Sequence, residues 1–309
     1  MKIKVENLVK RYGTQHALKD VSFEVKSGEV LGFLGPNGAG KTTTMKIITC
    51  FMAASGGNVF VGDYSIRDNP QQIKRHIGYL PENNPLYLDM PVIEYLAFAA
   101  EIQGVSAKET PARIREMVRK CGLDREKHKN IGELSKGYRQ RVGLAQAMIH
   151  NPDILILDEP TTGLDPNQII EIRELIRELG KEKTVIFSTH ILPEVEATCD
   201  RILIINDGKI VADGAPGELR RQASGSEVSR VRIEDAEPDM IYQTLLTMEK
   251  VASVDWNKAE NRFQIESQKG ESIRRDIFKL CVQNNWTLTE ITPIERDLED
   301  VFRNVTIGG

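Results

Sequence analysis

The sequence predicts an α/β fold: a P-loop domain with a mostly parallel sheet and an inserted helical subdomain, then a small α+β, ferredoxin-like C-terminal domain. Three observations carry this reading. Apolar runs at 154–157, 184–187 and 202–205 have no polar alternation, which marks strands buried on both faces of a largely parallel sheet. Between Pro91 and Ile149 the pattern becomes helical with few strand candidates. Beyond a small polar break the elements follow in the order β-α-β-β-α-β, the ferredoxin-like arrangement. A chain of 309 residues also exceeds one comfortable core and suggests two domains of unequal size.

In chain order, Met1-Lys2-Ile3-Lys4-Val5-Glu6 alternates like a strand and does not have the build of a signal peptide. Val30-Leu31-Gly32-Phe33-Leu34 reads as a buried strand, and Thr43-Thr44-Met45-Lys46-Ile47-Ile48 as the start of a helix. Asn58-Val59-Phe60-Val61 is a short strand before a turn at Gly62-Asp63. Residues 92–98 and 114–118 carry apolar side chains at helical spacing, inside a helical subdomain expected at about 88–150. The small polar run Gln222-Ala223-Ser224-Gly225-Ser226 is the expected boundary, giving domains 1–222 and 227–309. In the second domain we expect a strand near 228–233 and a helix near 238–249. Strands near 251–256 and 262–266, a helix near 271–284 and a strand near 286–292 follow, and Leu298-Glu299-Asp300-Val301-Phe302 is a last amphipathic piece. This tail contains no histidine and scatters its carboxylates, so it reads as a packing or docking module.

Composition narrows the function classes. A net charge of −4 gives no electrostatic support to nucleic-acid binding. The cysteines (Cys50, Cys121, Cys199 and Cys281) stand singly, which argues against a zinc site or disulfide framework and fits a reducing cytosol. No apolar run approaches the ~20 residues needed to span a bilayer. Work at a membrane would therefore require another chain to do the spanning.

The chemistry begins at Gly35-Pro36-Asn37-Gly38-Ala39-Gly40-Lys41-Thr42, which fits G-x-x-x-x-G-K-[ST] at every fixed position, between a strand and a helix. Glycines let successive N–H groups curl toward phosphate oxygens, and the helix N-terminus adds partial positive charge. With Thr43 at the helix start, this stretch predicts a nucleoside triphosphate site. Lys41 can reach the β- and γ-phosphates and the Thr42 hydroxyl can ligate Mg2+. Ile154-Leu155-Ile156-Leu157-Asp158-Glu159 is a buried strand ending in two acids. Asp158 can hold Mg2+ through its water shell, and Glu159 can polarise the attacking water as general base.

Leu134-Ser135-Lys136-Gly137-Tyr138-Arg139-Gln140-Arg141 adds the most diagnostic motif. With it, residues 2–220 resemble an ATP-binding-cassette (ABC) transporter ATPase. Ser135 can cap the helix that follows, leaving free N–H groups around Gly137 as a second anion site. The resemblance implies that this site closes over ATP held by a partner subunit, in a homodimer or heterodimer, with ATP and Mg2+ as cofactors. It also makes Tyr12 the aromatic that stacks on adenine and Gly163-Leu164-Asp165 the loop that signals across the dimer. His190 resembles the switch histidine, contacting the γ-phosphate and holding Glu159 and water in line. His16, His76, His128 and His150 read as surface or packing residues.

Two departures sharpen the resemblance. Glu82 stands where the family usually has glutamine, so a charged group replaces a neutral amide as metal ligand beside Thr42 and Asp158. Lys136 and Tyr138 replace glycine and glutamine in the signature. Both resemble the gliding-motility-type exporter ATPases, which carry a C-terminal extension and work with a separate permease. The resemblance thus implies an ATP-hydrolysing exporter subunit with no nucleic-acid partner. It would be peripheral at the cytoplasmic face of the cell membrane through a separately encoded transmembrane permease. The alternatives are a soluble ABC ATPase acting on nucleic acid or ribosomes, and an ATP-gated adaptor with a dead catalytic centre. The first usually has two cassettes, a long coiled coil or zinc-binding cysteines, and the second conflicts with the presence of Lys41, Asp158, Glu159 and His190.

Overall fold

The structure is a computed structural model that describes residues 1–223, 227–268, 271–294 and 298–307. The chain opens with β1 (Ile3–Tyr12) and β2 (Gln15–Val25), an antiparallel pair whose side chains alternate between buried and exposed. β3 (Val30–Leu34) is buried at every position. α1 (Lys41–Ile48) follows the phosphate-loop motif. β4 (Gly56–Val61) and β5 (Tyr64–Ser65) complete an antiparallel sheet in the order β2-β1-β4-β5.

α2 (Pro70–His76) leads into β6 (Ile77–Leu80). The helical insertion then supplies α3 (Val92–Ile102), α4 (Thr110–Lys120) and α5 (Lys136–Met148), with no strand among the described residues between β6 and the next sheet element. The chain returns through β7 (Ile154–Asp158), α6 (Pro166–Gly180), β8 (Thr184–Thr189), α7 (Leu192–Thr198), β9 (Arg201–Asn206) and β10 (Lys209–Gly214). The second sheet runs β10-β9-β3-β8-β7-β6 and is parallel except for the β9–β10 hairpin. β3, β7 and β8 are buried throughout, as strands covered on both faces must be.

One core joins these parts. It contains Ile3, Val5 and Val21 of the first sheet, Met45, Ile47 and Ile48 of α1, and Phe33, Ile156, Ile186 and Leu203 of the second. The apolar face of α1 is therefore packed against both sheets, which fixes the loop that precedes it. α6 starts where Asp165 accepts a hydrogen bond from the Gln168 N–H at 3.0 Å, with Pro166 at its first position.

The chain divides into two compact units, Met1–Pro216 and Gly217–Gly309. α8 (Pro216–Ala223) begins at this division and includes Gln222 and Ala223 of the expected polar break; Ser224, Gly225 and Ser226 lie outside the described residues. The second unit contains β11 (Val228–Glu234), α9 (Pro238–Leu246), β12 (Val251–Asn257) and β13 (Arg262–Ser267), then α10 (Arg274–Gln283), β14 (Thr287–Ile294) and α11 (Leu298–Ile307). Its sheet runs β12-β13-β11-β14 with antiparallel neighbours, the ferredoxin-like order. Its own core gathers Val231, Ile241, Leu245, Phe263, Ile277 and Trp286. α9 is shorter than its expected span because a turn at Thr247 and Met248 brings the chain back into β12.

Candidate active site

The site forms at the C-terminal ends of β3, β7 and β8. β3 delivers the loop Gly35–Gly40, and α1 begins at Lys41 with Gly40 as its N-cap at φ 110°. A side chain at Gly40 would meet the Ala17 carbonyl oxygen at 2.9 Å in a backbone conformation that only glycine adopts freely. The loop is tied down elsewhere by the Gly208 N–H, which donates to the Ala39 carbonyl at 3.0 Å. Lys41 is 5% exposed. Its ammonium donates to the carbonyls of Gly35 (2.8 Å) and Pro36 (3.2 Å) and pairs with Glu159 Oε1 at 3.2 Å.

β7 carries Asp158 and Glu159 to the same place. Asp158 Oδ1 accepts hydrogen bonds from Ser188 Oγ (2.6 Å) and Thr42 Oγ1 (3.1 Å). Asp158 Oδ2 is buried and has no hydrogen-bond partner. Burial raises the Asp158 pKa above the ordinary carboxylate value, with smaller upward pushes from Glu82 and Glu159, against the hydrogen bonds from Ser188 and Thr42. Glu159 has a φ of 50°, left-handed backbone that a non-glycine residue rarely adopts. Its N–H donates to the Ser188 carbonyl at 3.1 Å, and its Oε2 lies 2.9 Å from His190 Nδ1. The Thr162 hydroxyl donates to the same Oε2 at 3.4 Å.

A cavity of about 380 Å³ brings Asn37, Gly38, Gly40, Lys41, Thr42 and Thr43 together with Glu82, Glu159 and His190. Gly35, Pro36 and Ala39 form the loop behind it. Asp158 lies in the wall of the adjoining cavity, and Tyr12, Ser135 and Gly137 stand farther from this lining. Tyr12 ends β1, 46% exposed, its hydroxyl donating to Met52 Sδ at 2.9 Å and its ring 5.2 Å from Lys10 Nζ. Ser135 caps α5 by accepting the Tyr138 N–H at 3.3 Å, and Gly137 is packed against the Gln168 side chain. The chain does not bring its own Ser135 and Gly137 to its own Lys41.

A larger cavity of about 1120 Å³ adjoins this one through Thr42 and Glu82, has Asp158 in its wall, and extends past Tyr79 and Phe51 to Ile102 and His150. It lies between the sheet and the helical insertion.

Known proteins resemble this chain in sequence and fold. The family model for ABC transporters matches residues 18–162. The bacitracin transport ATP-binding protein BcrA of Bacillus licheniformis is 34% identical over 310 residues, 99% of this chain and 98% of the relative. The chain belongs to the ABC transporter ATP-binding family. It is an ATP-hydrolysing member with an α/β cassette. A solved structure of an ATP-binding subunit of an ABC transporter is 33% identical, with a TM-score of 0.66, covering 80% of this chain and 100% of that one. The ATP-binding cassette MJ0796, in a dimeric post-hydrolysis state bound to ADP and Pi, is 28% identical with a TM-score of 0.63, covering 69% of this chain and 98% of that one.

The polar groups of this ABC cassette fit magnesium delivered with a nucleotide. Thr42, Asp158 and Glu82 offer oxygen donors in one cavity, and Asp158 Oδ2 is buried with lone pairs that Ser188 and Thr42 do not use. Among the described residues no group of three His, Cys, Asp or Glu side chains could hold a metal alone. Such a donor set suits a cation that takes the rest of its shell from phosphate oxygens and water.

Ser188 is the residue that sequence reasoning missed. The parallel register places it opposite Asp158, where it serves both acids at once. Its only signal is the position two residues before His190, at the tip of a neighbouring buried strand.

Proposed function

We propose that this ATPase powers a membrane exporter through ATP-driven dimerisation, with each nucleotide held between the P-loop of one subunit and Ser135 and Gly137 of another. The observation that carries the reading is Glu159, held between Lys41 and His190 at the mouth of the P-loop cavity. In the closed state Lys41 turns to the phosphates and the Glu159 carboxylate takes the proton of the attacking water. His190 orients Glu159 through Oε2, and the N–H groups at the start of α5 face the γ-phosphate from across the dimer. Mg2+, held by Thr42, Glu82 and, through water, Asp158, would neutralise charge on the phosphates. Tyr12 stacks on the adenine.

The partner is a separately encoded transmembrane permease. Among the described residues no helix is long and apolar enough to cross a membrane, and the full-length relative from Bacillus licheniformis is a bacitracin transport ATP-binding protein. The cavity between the sheet and the helical insertion is where a permease segment would dock, beside Glu82. The chain then sits at the cytoplasmic face of the membrane through that contact. Lys136, Tyr138 and Glu82 favour the gliding-motility-type subgroup.

The test is Glu159→Gln. Turnover should fall by on the order of 10²–10⁴-fold, the usual contribution of a general base, while gel filtration with ATP recovers a dimer. Normal turnover in that variant removes the general-base assignment. Recovery of the wild-type chain only with ribosomes or DNA, and never with a multi-spanning protein in detergent, removes the exporter.

A further inference from the structure

β8 ends at Thr189 and α7 starts at Leu192, so His190 stands in a short turn with only Ile191 beside it. The His190 side chain is 44% exposed, and its Nδ1 lies 2.9 Å from Glu159 Oε2. An imidazole so open has little packing to aim it. Its direction is set by the backbone of the turn that carries it.

That turn is tied down from the core side. Thr189 is fully buried, and its carbonyl accepts the Gly35 N–H of the phosphate loop at 3.3 Å. Its hydroxyl accepts the Ile191 N–H at 3.1 Å and donates to Glu194 Oε2 at 2.7 Å. Glu194 is buried too, in the first turn of α7, and its own N–H donates to the Ile191 carbonyl at 3.2 Å. One hydroxyl thus bonds on both sides of His190, to the strand tip that bears it and to the helix beyond.

A carboxyl group in a protein core is costly unless hydrogen bonds offset its desolvation. Capping α7 does not by itself call for this arrangement. A glutamate at the third helical position ordinarily reaches back to the N–H of the capping residue directly. Here the capping residue is Ile191, and the Thr189 hydroxyl is interposed between its N–H and the Glu194 carboxylate. A hydroxyl can fill this place because it accepts and donates at once. The interposed bond fastens the start of α7 to the tip of β8 across the His190 turn.

We propose that Thr189 and Glu194 are positioning residues for ATP hydrolysis, their hydrogen bond fixing the turn that aims His190 at Glu159, on the role of His190 given above. Thr189 also holds Gly35 through its carbonyl, so the phosphate loop and the His190 turn are set from one buried residue.

The experiment uses the full chain and reads steady-state ATP hydrolysis beside ADP affinity. Thr189→Val keeps the side-chain shape and the carbonyl that holds Gly35, and replaces only the hydroxyl. Its kcat should fall about tenfold, the scale of losing one hydrogen bond to a carboxylate, with ADP affinity as in wild type. Thr189→Ser returns the hydroxyl and should recover kcat. Glu194→Leu breaks the same contact from the other end and should match Thr189→Val. A wild-type kcat in Thr189→Val or in Glu194→Leu overturns the proposal. An equal loss in Thr189→Ser, or a parallel loss of ADP affinity, marks a packing role and also overturns it. Thr189→Val added to His190→Ala should slow turnover no further than His190→Ala alone, and an additive loss overturns the route through His190. Normal turnover in His190→Ala by itself removes the role of His190, and this proposal with it.

Discussion

Glu159 concentrates two costly features in one residue, a buried carboxylate and a left-handed backbone, and its side chain is held between Lys41 and His190. Backbone strain of this kind costs on the order of 1–3 kcal/mol and persists where the surroundings over-determine it. Here the Ser188 carbonyl and hydroxyl hold the Glu159 N–H in place. Lys41, Thr42, Asp158, Glu159 and His190 were legible in sequence because each belongs to a local pattern whose spacing is the chemistry. Ser188 was not, since it acts through register between strands distant in sequence. His150 gives a separate prediction. It is part-buried, its Nε2 lies 3.3 Å from the Ile77 carbonyl and its Nδ1 has no partner. Burial lowers its pKa from 6.5, with Lys183 and Arg113 adding to the shift against the Ile77 carbonyl. Below 6.5 the unfolded chain therefore takes up a proton that the folded chain refuses, and stability falls as pH falls. The melting temperature should drop between pH 7.5 and pH 5.5, and His150→Asn should flatten that slope in a thermal scan. Equal slopes would contradict the assignment.

At the scale of elements, the buried runs of β3, β7, β8 and β9 were readable because strands covered on both faces carry apolar runs without polar alternation. β2, β5, β10 and the four-residue β6 were not read. β2 mixes Lys19, Asp20 and Glu24 with its core residues, β5 has two residues, and β10 alternates exposed with partly buried positions at the sheet edge. Tertiary pairing makes them strands. The contact between β6 and α5 has a testable weight. A methyl group at Gly78 would press on the Ala147 carbonyl, Leu155 and Pro152 together. Gly78→Ala should therefore destabilise the fold by about 1–3 kcal/mol, the usual cost of overpacking. Because α5 carries Ser135 at its start, ATP-dependent dimer recovery should weaken along with the melting temperature. A stable variant with normal dimerisation would show that β6 and α5 can separate freely.

For the molecule as a whole, the two cores share no residue, and the nucleotide cavity is lined entirely from Met1–Pro216. A chain ended after Ala223 should therefore fold and bind a fluorescent ATP analogue with the affinity of the full chain. A loss of more than tenfold would mean that the C-terminal unit takes part in nucleotide binding. The order of elements in that unit was legible from alternating short strands and amphipathic helices, and its sheet order followed from the ferredoxin-like reading. Its role was not, because that unit's sequence contains no histidine and no motif whose spacing implies a chemistry.

The ion pair between Lys41 and Glu159 has a kinetic meaning. The Glu159 carboxylate lies 3.2 Å from the Lys41 ammonium, an internal anion that competes with phosphate for it. Incoming ATP competes with a tethered rival, and each product release lets that rival return. Glu159→Gln removes the rival's charge as well as the base, so a single subunit of that variant gains ATP affinity before any dimer forms. On the proposed reaction, the wild-type carboxylate would help empty the site as well as act in it, and the rate at which it recaptures Lys41 would contribute to how quickly the ATPase resets.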